Sequence, residues 1–135
     1  MFGNVEDYVR ETVSINFLAI GTRPDIQYTM NRFIEENKGL SKEYLMILKN
    51  LWRYIAETAQ LALVIGGDYT LEDLDLYTYG DASFADDLMM CVSTGGHVAF
   101  LAGCPMTWKS KKQTIITLST IEAKFINLTS TIKNI

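Results

Sequence analysis

Residues 95–118 read GGHVAFLAGCPMTWKSKKQTIITL, and this stretch decides the fold. Runs rich in branched and aromatic residues flank Gly103, Cys104 and Pro105, a compact turn signal. GGHVAFLAG (95–103) and MTWKSKKQTIITL (106–118) are therefore expected as two strands of an antiparallel hairpin. Upstream, LALVIGGDYTLEDLDLYTYGDASF (61–84) has the same texture, with Gly66, Gly67 and Asp68 marking a turn between two strand-like runs. Downstream, a helix starting at Ser119 places Ile121, Phe125, Leu128 and Ile132 on one apolar face.

The first half reads as helices. RPDIQYTMNRFI (23–34) spaces Ile26, Met30, Phe33 and Ile34 helically, with Pro24 in the first turn and Asp25 favouring the positive end of the helix dipole. Ser41 is a candidate cap for a second helix, in which Tyr44, Leu48, Leu51 and Ile55 line one stripe with Leu45 and Trp52 beside it. TVSINFLAI (12–20) is short and apolar; periodicity alone leaves helix and strand open, and we read it as helix. Helices, then three strands, then a helix make an α+β chain without internal repeats.

The 135 residues are 48% hydrophobic, enough for a real core and too apolar for a disordered tail. Twelve basic and sixteen acidic residues give a net charge of −4, so there is no global positive field and any nucleic-acid binding has to be local. Cys91, Cys104 and the single His97 cannot supply the four ligands of a structural zinc site, and two cysteines make a poor disulfide scaffold. A reduced intracellular setting, cytoplasm or nucleus, is the expectation. No signal-peptide pattern opens the chain, and FLAI (17–20) and LALVI (61–65) are far shorter than a spanning helix, so no membrane partner is expected.

Four motifs carry chemistry. Asp81 ends a strand-like aromatic run; it is either a solvated strand end or a carboxylate that pairs or binds a metal. Asp86 and Asp87 read as solvated loop charges, with the alternative of further oxygen donors to a hard cation such as magnesium. WKSKKQ (108–113) sets Lys109, Lys111 and Lys112 beside Trp108 on a strand, a pattern suited to phosphates and stacked rings but equally to an edge strand guarded by lysines. Ser119 and Glu122 have capping-box spacing, the serine accepting from the Glu122 N–H and the glutamate reaching back to the Ser119 N–H. Lys124 then lies near the face that packs on the sheet, its stem able to snorkel to solvent.

Together these motifs resemble the reverse transcriptase and ribonuclease H segment of copia-type long-terminal-repeat retrotransposon polyproteins. LAIGTRPDI (18–26), LKNLWRYIAET (48–58), YGDASFADD (79–87) and residues 93–125 follow the order, and nearly the spacing, of that family. The resemblance implies a helical reverse transcriptase connection segment over 1–68. Over 69–135 it implies the first half of a ribonuclease H-like domain, a truncated sheet of three antiparallel strands with one helix.

In that family, a carboxylate cluster around two magnesium ions hydrolyses the RNA strand of RNA/DNA hybrids. Carried over by position, the first-strand aspartate is Asp81, the candidate catalytic and metal-binding residue. The helix glutamate of the cluster falls at Lys124, and the cluster's next aspartate would lie beyond Ile135. The resemblance therefore implies an ancestral metal-dependent ribonuclease that is inactive here and does not hold magnesium tightly. A non-catalytic module, binding nucleic acid through Trp108, Lys109, Lys111 and Lys112 or binding a retroelement protein, is the alternative. The resemblance also implies that the first strand has an open edge, a site for self-association.

Overall fold

The computed structural model describes residues 5–36, 42–67, 70, 74–87 and 90–133. Among them are four α-helices and one three-stranded antiparallel sheet, a mixed α+β chain with helices first, then strands, then a helix. Contacts divide the chain into two compact units, Met1–Leu63 and Val64–Ile135.

The first unit holds α1 (Val5–Gly21), a 3-10 turn (Pro24–Ile26), α2 (Gln27–Glu36) and α3 (Lys42–Glu57). Its core is Tyr8, Ile15 and Ala19 of α1 with Ile26, Met30, Phe33, Leu48 and Leu51. Tyr44, Leu45, Trp52 and Ile55 pack against it half-buried, so the expected stripe of α3 faces inward. Phe33 joins the helices through ring contacts with Tyr8 and Tyr44. Ile34, expected with the core residues, is exposed, because the buried spacing runs Ile26, Met30, Phe33 and turns the next position outward. The expected cap Ser41 lies outside the described residues, as does Asp68 of the Gly66–Gly67–Asp68 turn.

A polar clasp ties the 3-10 turn to the end of α3. Arg23, 7% exposed, donates from Nε and Nη2 to the Asp25 carboxylate at 2.9 and 2.8 Å, and from Nη2 to Thr58 Oγ1 at 2.7 Å. The Tyr54 hydroxyl donates to Asp25 Oδ2 at 3.0 Å. The hydrogen bonds from Arg23, then that from Tyr54, hold the Asp25 carboxyl below its ordinary range. A depressed folded pKa contributes stability that is present above the unfolded value, about pH 4, and lost as pH falls through the folded value. Arg23→Ala is expected to cost about 2 kcal/mol at neutral pH, since it leaves a half-buried carboxylate with the Tyr54 hydroxyl but without its cation. The loss is measured by urea unfolding, and it should shrink as the pH is lowered below about 4.

In the second unit, β1 (Leu76–Asp87), β2 (Val92–Leu101) and β3 (Cys104–Lys112) form a sheet in the order β1-β2-β3, and α4 (Thr120–Lys133) packs on it, mostly over β1. Three expectations are corrected here. LALVI is not a strand: Leu61, Val64 and Ile65 are exposed and have no ladder partner, so branched composition alone does not produce pairing. The hairpin turns at Ala102 and Gly103, both at positive φ (51° and 75°), while Cys104 and Pro105 already belong to β3. A two-residue turn of this hand needs positive φ at both positions, which proline cannot adopt.

The third correction concerns α4. Ala123, Asn127 and Thr131 face the sheet, whereas Ile121, Phe125, Leu128 and Ile132 are 53–79% exposed. The sheet meets the helix with glycines, so a small polar stripe fits where large side chains would hold the helix away.

Candidate functional site

Asp81 sits in the middle of β1, opposite Gly96 of β2, and not at a strand end. Above it, α4 lies close. Asn127, buried on the helix, donates from Nδ2 to the backbone carbonyls of Asp81 and Gly96, both at 2.9 Å, and so pins the helix across β1 and β2. A Cβ on Gly95 would lie 2.2 Å from Asn127 Oδ1, and one on Gly80 would lie 2.8 Å from Thr131 Oγ1. Glycine at both positions is what lets the helix descend onto the strands.

That descent brings Lys124 to Asp81, with Nζ 3.1 Å from Oδ1. The pair is exposed, with side chains 60% and 77% accessible. The Ala82 backbone N–H first, and the Lys124 ammonium second, hold the Asp81 carboxyl below its usual range. As ligands for two magnesium ions these residues do not fit. Hard cations need several oxygen donors, and the ammonium offers none while repelling the ion. Among the described residues no group of three or more His, Cys, Asp or Glu side chains is arranged to hold a metal.

Asp86 and Asp87 do not join Asp81. The ladder is irregular between Ser83 and Asp87, with Ala85 at a φ of 47°, and Asp87 pairs with Val92, four residues along β2 from the partner of Asp81, roughly 13 Å away. Asp87 is not a solvated loop charge: it ends β1 and pairs with Lys112 of β3 in a largely buried ion pair. The cross-strand neighbourhood that register creates was not visible from FADD alone.

Register also divides the WKSKKQ cluster. On β3, Lys109 pairs with His97 and Lys111 with Gly95, so both lie on the α4 face. Trp108, opposite Val98, alternates to the other face, and Lys112 is held by Asp87. Lys109 and Lys111, with Lys112 beside them, flank a cleft of about 180 Å³ between β2, β3 and α4, whose wall includes His97, Gln113 and Ser130. His97 and Gln113 were not expected there. His97 faces α4 because it lies two residues from Gly95 on β2 and so on the same face, the face that the contact of Gly95 with Asn127 identifies.

The helix cap is half as expected. Ser119 Oγ accepts from the Glu122 N–H at 3.1 Å, but the Glu122 carboxylate accepts from the Leu118 N–H at 2.7 Å in place of the Ser119 N–H. Cys91 is exposed and Cys104 buried, both as free thiols. No helix among the described residues is long and apolar enough to cross a membrane.

Comparison with known proteins finds transposon Pol polyproteins among the relatives of this chain. It is 36% identical over 118 residues to the retrovirus-related Pol polyprotein from transposon RE1 of Arabidopsis thaliana, which covers 87% of this chain and 8% of that protein. The Pol polyprotein from transposon TNT 1-94 of Nicotiana tabacum is 35% identical over 121 residues, 87% of this chain and 9% of that one. The secreted RxLR effector protein 161 of Plasmopara viticola is 28% identical over 90% of this chain and 83% of its own length. The chain thus spans less than a tenth of the Pol polyproteins it matches. No protein-family model and no solved structure matches it.

Proposed function

We propose that this relative of transposon Pol polyproteins corresponds to their reverse transcriptase and ribonuclease H region, of the copia type, in a form that no longer cleaves RNA. The observation that carries the reading is the Lys124 ammonium 3.1 Å from Asp81 Oδ1. It neutralises the one carboxylate that position and resemblance assign to the cluster, and it sits where a second carboxylate would be needed. Asp81 keeps a carboxylate on the sheet and Asn127 keeps the helix seated; neither activates a water. An end-labelled RNA strand in an RNA/DNA hybrid should survive incubation with the chain and magnesium or manganese. Metal-dependent cleavage that disappears in Asp81→Asn would overturn the proposal.

A second reading, retained binding of nucleic acid without chemistry, is favoured by one observation: Lys109 and Lys111 share a face and a cleft. The net charge of −4 restricts such binding to this patch. Two phosphate contacts give a slope of about −2 in log affinity against log salt, and Lys109→Ala with Lys111→Ala should flatten it toward zero. Unchanged hybrid affinity in the double variant would end this reading. Replacing Trp108, on the opposite face, should leave the affinity unaltered.

A further inference from the structure

We infer that the cleft between β2, β3 and α4 is an anion subsite that takes a phosphate group, with His97 as its buried donor and Lys109 and Lys111 as its charges. The inference deepens the binding reading above and names the group recognised.

Three observations meet there. The cleft has a volume of about 180 Å³, below the usual 300–1,000 Å³ of drug-sized ligand sites and suited to a small group. Lys109 and Lys111 enter it from alternate positions of β3, Lys112 lines it while paired with Asp87, and among the described residues no carboxylate is part of its wall. His97, only 7% exposed, has a buried Nε2 without a hydrogen-bond partner. A buried polar atom left unpaired is costly, and at a cleft wall between two lysines the partner that satisfies it best is an anionic oxygen.

A second unpaired buried atom, Gln113 Oε1, sits on the same wall, while the Gln113 Nε2 donates to the Ala123 carbonyl at 2.8 Å. An acceptor beside the phosphate site suits a ligand that also carries a hydroxyl. A monoprotonated phosphate offers one, and so does the ribose 2′-hydroxyl next to a phosphate in RNA.

Among the described residues, the groups that line the cleft with His97 are Lys109, Lys111 and Lys112 from β3, the last paired with Asp87, and Ile126, Asn127 and Ser130 from α4, with Gln113 and Thr114 beyond the end of β3. Burial, and then the charge of Lys109, push the imidazole below its ordinary pKa and so favour its neutral form. An anion bound against Nε2 favours the imidazolium. The His97 titration should therefore move to higher pH when the site fills.

The test follows the imidazole of His97 by NMR in the full chain, titrated with inorganic phosphate and, at matched ionic strength, with chloride. The expected result is a His97 titration displaced upward by phosphate and not by chloride, with affinity reduced about tenfold in Lys109→Ala and in Lys111→Ala. His97→Gln, which keeps a donor, should bind phosphate without the proton uptake linked to His97, leaving only the pH dependence of phosphate itself, and its amide spectrum reports that the fold survives. Equal displacement by chloride, or none by phosphate, overturns the inference.

An RNA/DNA hybrid and a single-stranded RNA form the second arm. If they displace the His97 titration with the same lysine dependence, the phosphate is that of a nucleic acid. If phosphate does so and neither polynucleotide binds, the subsite stands for a small anion and the nucleic-acid reading falls. If the hybrid binds without touching His97, the subsite falls and the nucleic-acid reading stands.

Discussion

Gly95→Ala is expected to unseat helix α4 and to cost the second unit about 2–4 kcal/mol. The added Cβ would lie 2.2 Å from Asn127 Oδ1 and 2.9 Å from its Cγ. Asn127 cannot swing away cheaply, because it is buried and its amide is held by the Asp81 and Gly96 carbonyls. Either the helix rises or both hydrogen bonds go, at about 1 kcal/mol each plus the cost of leaving buried carbonyls unpaired. The core of this unit is made of small side chains, among them Ala82, Ala99, Ala102 and Ala123, so little apolar burial is available to absorb the loss. Denaturant unfolding measures the cost, and amide exchange along α4 should accelerate while α1 to α3 stay unaffected. Wild-type stability in the variant would mean that the helix does not depend on this close approach.

Lys124→Glu carries the second large expectation, a gain of cation binding. In the wild-type chain, manganese should leave the amide signals around Asp81 sharp, because the ammonium occupies the space beside Oδ1. Replacing it by a carboxylate reverses the sign of the neighbouring charge and adds oxygen donors. Affinity for manganese, read as paramagnetic broadening at residues 81 and 124, should rise about tenfold or more. Two facing carboxylates also repel when no ion is present, so magnesium should raise the Tm of the variant and not that of the wild type. Lys124→Gln separates the two effects, since it removes the ammonium without supplying a carboxylate. If the wild-type chain broadens as strongly as the variant, Lys124 is not what excludes the ion. Hybrid cleavage is not expected in either form, because two carboxylates remain fewer donors than a two-metal centre uses.

Much of the fold was legible because its signals are local. The spacing of Ile26, Met30 and Phe33, the stripe of α3 and the Ser119 cap depend on residues within a turn or two of one another. Lys124 was placed near the sheet from its spacing to Ile121 and Leu128, but both are exposed, and its ion pair with Asp81 depends on the Ala123, Asn127 and Thr131 stripe that packs instead. The failures share a different cause. LALVI has strand composition but no neighbour to pair with, and composition is silent on neighbours. The turn shifted to Ala102 and Gly103 because a two-residue hairpin selects on φ, a demand that Pro105 fails one step later.

By itself the sequence determined the order of helices and strands, the Ser119 half of the cap of α4, and the kinship with transposon Pol polyproteins. Each of these rests on nearest-neighbour periodicity or on matched residues in order. Only the tertiary structure decided which stripe of α4 packs, since the helix carries two and the glycines at 80 and 95, far away in sequence, admit the smaller one. It also decided that Lys109 and Lys111 face His97 while Trp108 faces away and Lys112 meets Asp87. Those juxtapositions are set by strand register, which is a property of two segments together and is written in neither one alone.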